Sequence, residues 1–155
     1  MLRSFRLIQF FFICAALILL VERPSFGVTP PKTRCNIRVD DPHISKSLLL
    51  KEGIKAVKVN ARSKCDRPMY DLVLTVKIYK VGFYRDYLLR QKDRRAIGIV
   101  YPNKIIKNND TYVLCKDDRK SSYYGKAFAT ALVDGKRVRT LEVITEKTVP
   151  LNCGT

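Results

Sequence analysis

Ser121–Val133 (SSYYGKAFATALV), the dipeptide Asp134-Gly135 and Lys136–Cys153 (KRVRTLEVITEKTVPLNC) decide the reading of this chain. Asp-Gly between two runs of β-formers signals a hairpin, because a type I′ turn requires positive φ at both central residues. Tyr124, Phe128 and Leu132 fall on one face of the first run, and Ala127, Ala129, Ala131 and Val133 on the other. Apolar residues on both faces describe a strand well inside a sheet. On the return strand, Val138 has the opposite parity to Leu141 and Val143, which asks for a bulge near Arg139–Thr140.

The turn opposes Val133 to Lys136 and brings Cys115 and Cys153 within one residue of direct opposition. From turn to cysteine the hairpin would extend about 65 Å, too long for one small domain, so its strands must bend, bulge or break. Cys35 and Cys65 are centred on Leu50, inside the Ser45–Gly53 segment between two candidate strands. Facing residues on neighbouring strands lie at disulfide distance. Of the three connectivities that four cysteines allow, this favours Cys35–Cys65 with Cys115–Cys153, each between consecutive antiparallel strands.

Residues 1–27 have the form of a secretory signal. Arg3 and Arg6 supply a positive start, Leu7 to Val21 is apolar apart from Gln9, and Ser25-Phe26-Gly27 offers small residues for cleavage. The apolar run is shorter than the roughly 20 residues that span a bilayer. Cys14 would leave with this segment. Loss of three arginines and one glutamate takes the formal charge from +16 to about +14 and leaves an even set of cysteines. Such a set behind an export signal implies oxidised bridges outside the cytoplasm. Residues 28–155 then make one domain, large enough to bury its own core.

After the lead-in Val28–Thr33, Arg34–Asp41 alternates Cys35, Ile37 and Val39, and Ile54–Arg62 alternates Val57, Val59 and Ala61. Tyr70–Lys80 is the clearest strand, with Leu72, Leu74, Val76 and Ile78 on one face. Phe83–Gln91 is a strand of mixed parity, Ala96–Tyr101 a short edge strand, and Asn108–Asp110 a turn. Tyr112–Cys115 is a strand that restarts at Ser122 after the polar segment Lys116–Lys120. No stretch has helical periodicity. Seven or eight strands at this spacing predict an all-β, immunoglobulin-like sandwich stapled by two disulfides.

The four cysteines, the Tyr124-Gly125-Lys126-Ala127 segment and the near-terminal Pro150-Leu151-Asn152-Cys153 resemble small secreted two-disulfide proteins of actinobacteria. The resemblance implies an immunoglobulin-like fold and carries over no catalytic or binding residue. The chain has no tryptophan, so it lacks the indole that packs on the inter-sheet disulfide of antibody domains. A fainter similarity to MD-2-like lipid-recognition domains implies a lipid carrier with a cavity between its sheets.

Catalytic chemistry finds little purchase. His43, in Asp40-Asp41-Pro42-His43, is the chain's single histidine and reads as part of a polar turn. Bridged cysteines leave no thiol as nucleophile or zinc ligand. Phosphate-cradling glycine loops, Gly-x-Ser-x-Gly and His-Glu-x-x-His are missing from the sequence. Asp117-Asp118 reads as a solvated loop. We therefore expect no enzyme, no cofactor and no metal. Asn109-Asp110-Thr111 is a glycosylation sequon, relevant only in a eukaryotic host.

Charge is the feature with functional content. Arg90, Lys92, Arg94, Arg95, Lys104 and Lys107 form the candidate polyanion-binding patch, with Tyr79, Phe83, Tyr84, Tyr87 and Tyr101 nearby. Anionic envelope polymers, acidic glycans or lipid headgroups are the expected partners, and nucleic acid the least expected, because export separates the two. A protein-binding effector using a loop or an edge strand is the second reading, and the lipid carrier the third. A high charge also serves solubility alone, with cations scattered over outer faces. Convergence of cations distinguishes these readings. Peptide mapping of the unreduced, exported protein should recover Cys35 joined to Cys65 and Cys115 joined to Cys153; free thiols at the second pair would break the scheme.

Overall fold

The hairpin turn forms as its dipeptide requires, with φ of 49° at Asp134 and 73° at Gly135. The computed structural model describes residues 35–155. The signal segment, Cys14 and the lead-in Val28–Thr33 lie outside the described residues. In chain order the elements are β1 (Cys35–Val39), β2 (His43–Ile44), α1 (Lys46–Glu52), β3 (Ala56–Cys65), β4 (Met69–Lys80) and β5 (Tyr87–Val100). They continue with β6 (Ile105–Leu114), β7 (Asp117–Val133), β8 (Lys136–Arg139), β9 (Val143–Ile144) and β10 (Val149–Gly154).

Two antiparallel sheets share one core. In sheet A, β3 is central, with β1 and β2 end to end on one side and β6 on the other. In sheet B, β4 lies between β5 and β7, and β7 takes β8, β9 and β10 in turn along its far edge. The long return strand expected from the hairpin is thus broken into three pieces. Thr130 faces Arg139, but Ala127 faces Val143, so one extra residue sits at Thr140–Glu142 as parity required. Counting the end-to-end pieces as single strands gives seven, or eight if β1 and β2 are kept apart.

Alternation builds the core. Val57, Val59 and Ala61 of β3 face Leu72, Leu74, Val76 and Ile78 of β4 and Ala127, Ala129, Ala131 and Val133 of β7, all buried. Gly125 has no room for a side chain, since a Cβ there would stand 2.6 Å from Val59 Cγ1. The missing side chain lets Val59 of sheet A pack against the Gly125 backbone of sheet B.

Both disulfides form with the expected pairing and point to an oxidising environment. Cys35 and Cys65 face one another directly across β1 and β3. The second bridge is placed differently from expectation. Cys115 follows β6, and its N–H donates to Lys55 O beside sheet A, while the Lys116 N–H donates to Gly154 O in sheet B. The chain therefore changes sheets at one peptide bond, and the Cys115–Cys153 bridge pins that crossing.

Four other expectations are corrected. Helix α1 exists despite the missing periodicity: Ser45 caps its start by accepting from the Leu48 N–H, and Gly53 closes it at φ 67°. It buries no residue, so no apolar stripe marks it. The two strands expected at Phe83–Gln91 and Ala96–Tyr101 are one edge strand, β5, which begins only at Tyr87, ends at Val100 and has a middle charged on both faces; Phe83 to Asp86 belong to the connection before it. Lys116–Lys120 is not a break, because β7 begins at Asp117 and pairs with β10 there. Asn108–Asp110 is not a turn. It is a bulge in β6, where pairing steps from Val59–Thr111 to Ala61–Asn108.

That bulge turns Asn108 inward, fully buried. Its amide Nδ2 donates to Leu74 O (3.1 Å) and Lys92 O (2.9 Å), both in sheet B. Its Oδ1 accepts from the Asp110 N–H (3.3 Å) and the Thr111 hydroxyl (3.1 Å). All four of its hydrogen-bonding positions are used. Asn108→Ala would orphan several buried polar groups and should cost about 3 kcal/mol, or about 10 °C in Tm. The exposed neighbour Asn109→Ala should stay within about 0.5 kcal/mol of the parent, and thermal unfolding of the two variants checks the contrast.

Candidate anion-binding face

Strand alternation in sheet A sends Val57, Val59, Ala61 and Ser63 inward and Lys58, Asn60, Arg62 and Lys64 outward. On β1 the outward residues are Asn36 and Arg38. Register then assembles what sequence distance hides. Arg38 faces Arg62, and Arg62 faces Lys107, so three cations stand abreast across three strands. In the neighbouring row Asn36 faces Lys64, and Lys64 faces Ile105. Asn36, Arg38, Arg62, Lys64 and Ile105 line an open groove of about 300 Å³.

Facing residues in an antiparallel pair have Cα atoms only about 4.5–5.5 Å apart, and like charges so placed are destabilising. Arg38, Arg62, Lys64 and Lys107 form no ion pair with any described residue. Asp40, two residues beyond Arg38, does not neutralise it. The guanidinium groups of Arg38 and Arg62 present planar donor forks suited to carboxylate, sulfate or phosphate oxygens. Ile105 supplies an apolar flank.

The sequence patch is divided by the fold. Lys107 lies in the row just described, and Lys104 sits in the connection between β5 and β6. Arg90, Lys92 and Arg94 face Ile78, Val76 and Leu74, on the core side of sheet B but at its exposed edge. Arg95 faces Val73 on the opposite surface. Arg94 Nη1 lies 3.9 Å from Asp110 Oδ2. Arg38, Arg62 and Lys64 had escaped notice because they alternate with core residues on strands read only for their apolar positions. The detectable signal was the outward parity of β1 and β3 together with the Cys35–Cys65 register.

On sheet B's outer surface Lys77, Lys126 and Arg139 are already engaged, whereas Arg95 and Arg137 line a second open groove with Asp71, Val73 and Ile97. Tyr79 and Tyr124 stack at 5.1 Å, and Lys126 Nζ lies over both rings at 5.1 and 5.8 Å. Lys77 and Arg139 sit over the Phe128 ring at 5.1 and 3.8 Å. Glu142 takes Lys77 at 3.1 Å and Lys126 at 3.7 Å. Tyr124 donates to Asp86 Oδ2 at 2.8 Å. Desolvation first, and then that hydrogen bond, push its phenol up to about 12 from 10.0.

Among the described residues no group of His, Cys, Asp and Glu is gathered closely enough to hold a metal ion. His43 Nδ1 lies 3.0 Å from the Asp41 carbonyl oxygen, which can accept from it. Asp118 is paired with Lys55. Asp117 is paired with Arg119, whose backbone N–H and then guanidinium hold the carboxyl below its ordinary range. No helix among the described residues is long and apolar enough to cross a membrane. Compared with protein-family models, curated proteins and solved structures, the chain matches none.

The phenol supplies a pH test. Unfolded tyrosine ionises near 10 and folded Tyr124 near 12, so its contribution is fully present below pH ~10 and is lost as pH rises through ~12. Absorbance titration of phenolate should show a late-ionising component that Tyr124→Phe diminishes by one tyrosine. If every late-ionising tyrosine persists in Tyr124→Phe, the assignment is wrong.

Proposed function

We propose that this protein is a secreted, non-enzymatic binding module of immunoglobulin-like type that captures multivalent oxyanions on the outer surface of sheet A. The carrying observation is the unneutralised row Arg38–Arg62–Lys107 with Lys64 beside it. A linear polymer bearing sulfate, phosphate or carboxylate groups suits the row better than a single small ion, because the cations span several strands. Binding would relieve the like-charge repulsion built into the sheet. Two bridges support an extracytoplasmic site of action.

Strand order supports the immunoglobulin-like part of the reading. Lettered A to G, with β1–β2 as A, β8–β10 as G and β5 as an extra strand beside C, sheet A runs A-B-E. Sheet B then runs G-F-C with β5 next to C, in place of a strand D beside E. The bridges lie within sheet A and at the E–F crossing, unlike the inter-sheet bridge of antibody domains. For the carrier reading, the gap lined by Cys35, Met69, Ala129, Ala131 and Val138 holds only about 10 Å³. An acyl chain needs far more.

Binding to immobilised heparin and to polyphosphate, with neutral dextran as control, tests the proposal across a salt series. Affinity should fall steeply with salt, and Arg38→Glu with Arg62→Glu should weaken it ~10-fold or more. Arg94→Glu with Arg95→Glu should cost less. Salt-independent binding would overturn the proposal, and a greater loss from the β5 pair would move the site to that edge.

A further inference from the structure

The connection between β4 and β5 presents two adjacent aromatic rings to solvent. Phe83 is 92% and Tyr84 93% exposed, and they pack on each other edge to face at 4.8 Å. The loop is nevertheless held in shape. Asp86 Oδ1 accepts from the Gly82 N–H at 3.4 Å, and Oδ2 accepts from Tyr124. Val81 N–H donates to Ser122 O at 2.9 Å. Arg85, the next residue after the aromatic pair, lies over the Tyr87 ring at 5.6 Å. The tip stands in solvent, half-polar at the Tyr84 hydroxyl, and is fixed to sheet B through Asp86.

We propose that this loop is a membrane-docking finger, whose Phe83 and Tyr84 rings enter the interfacial layer of an anionic bilayer while Arg85 meets its headgroups. Two adjacent rings exposed over nearly their whole surface, one carrying a hydroxyl, have the amphipathic character of residues that seat in a bilayer interface. Rings that lie in no groove of their own fold and are followed by arginine fit the interface of an anionic leaflet, where cations gather. The finger is independent of the sheet A row. The groove lies by Lys64 and Ile105, near where β4 begins, whereas the loop follows the last residue of β4.

The chain has no tryptophan, so Phe83→Trp places the protein's one indole at the tip. The oxidised protein carrying it should give a blue-shifted emission with phosphatidylglycerol-containing vesicles and little shift with phosphatidylcholine alone. Phe83→Ala with Tyr84→Ala should lower partition onto the anionic vesicles ~10-fold or more while leaving thermal unfolding unchanged. Arg38→Glu with Arg62→Glu, introduced beside Phe83→Trp, should keep the emission shift even if heparin binding is lost, which separates failure of the row from failure of the finger. No shift with anionic vesicles would overturn the proposal. So would a shift that appears without lipid as protein concentration rises, which would assign the tip to contact between copies.

Discussion

One side chain holds the two sheets in register. Asn108 is fully buried in sheet A, and its amide reaches backbone carbonyls of two strands of sheet B. An amide in an apolar core is tolerable only when its hydrogen-bonding positions are filled, which fixes β6 relative to β4 and β5. The remaining contacts between the sheets agree with that spacing. Gly125 lets Val59 approach on the far side of the core, and the Cys115–Cys153 bridge fixes the corner where the chain crosses over. These constraints act at separate places, so the sheets have little freedom to slide.

The same rigidity makes the surface chemistry uneven. On sheet B the outward Lys77, Lys126 and Arg139 lie over aromatic rings or beside Glu142, and Arg95 and Arg137 flank an open groove. On sheet A the outward cations stand side by side without acids. Both faces come from strands with similar content of lysine and arginine. Cations face one another on both, Lys77 opposite Lys126 on sheet B and Arg38 opposite Arg62 on sheet A; what separates the pairs is that Phe128, Tyr79, Tyr124 and Glu142 lie within reach of the two lysines.

Fold legibility followed the strength of local rules. Asp134-Gly135, the parity break after Val138, the alternating Leu72–Ile78 face and the midpoint of Cys35 and Cys65 each rest on one short-range constraint, and each emerged as read. Asn108-Asn109-Asp110 carried turn composition, yet tertiary hydrogen bonds made it a bulge. Lys116–Lys120 and Lys92–Arg95 looked like breaks because strands that face water on both sides lose their period of two. Helix α1 had caps but no stripe. The cationic row was hidden for another reason: Arg38, Arg62 and Lys107 come from separate strands, and only pairing partners and register reveal that they are neighbours.

The two bridges also define how tension would travel through the molecule. Pulling on the described ends, force enters at Cys35, passes through sulfur to Cys65, and leaves from Cys115 through sulfur to Cys153. Residues between the members of each pair are bypassed, so β1, β3, β7 and β10 cannot be drawn out as thread. Only the span between Cys65 and Cys115 can lengthen, and β4, β5 and β6 lie within it. Under load the domain would release this one span, about 170 Å when fully extended, and then stop at the two bridged ends.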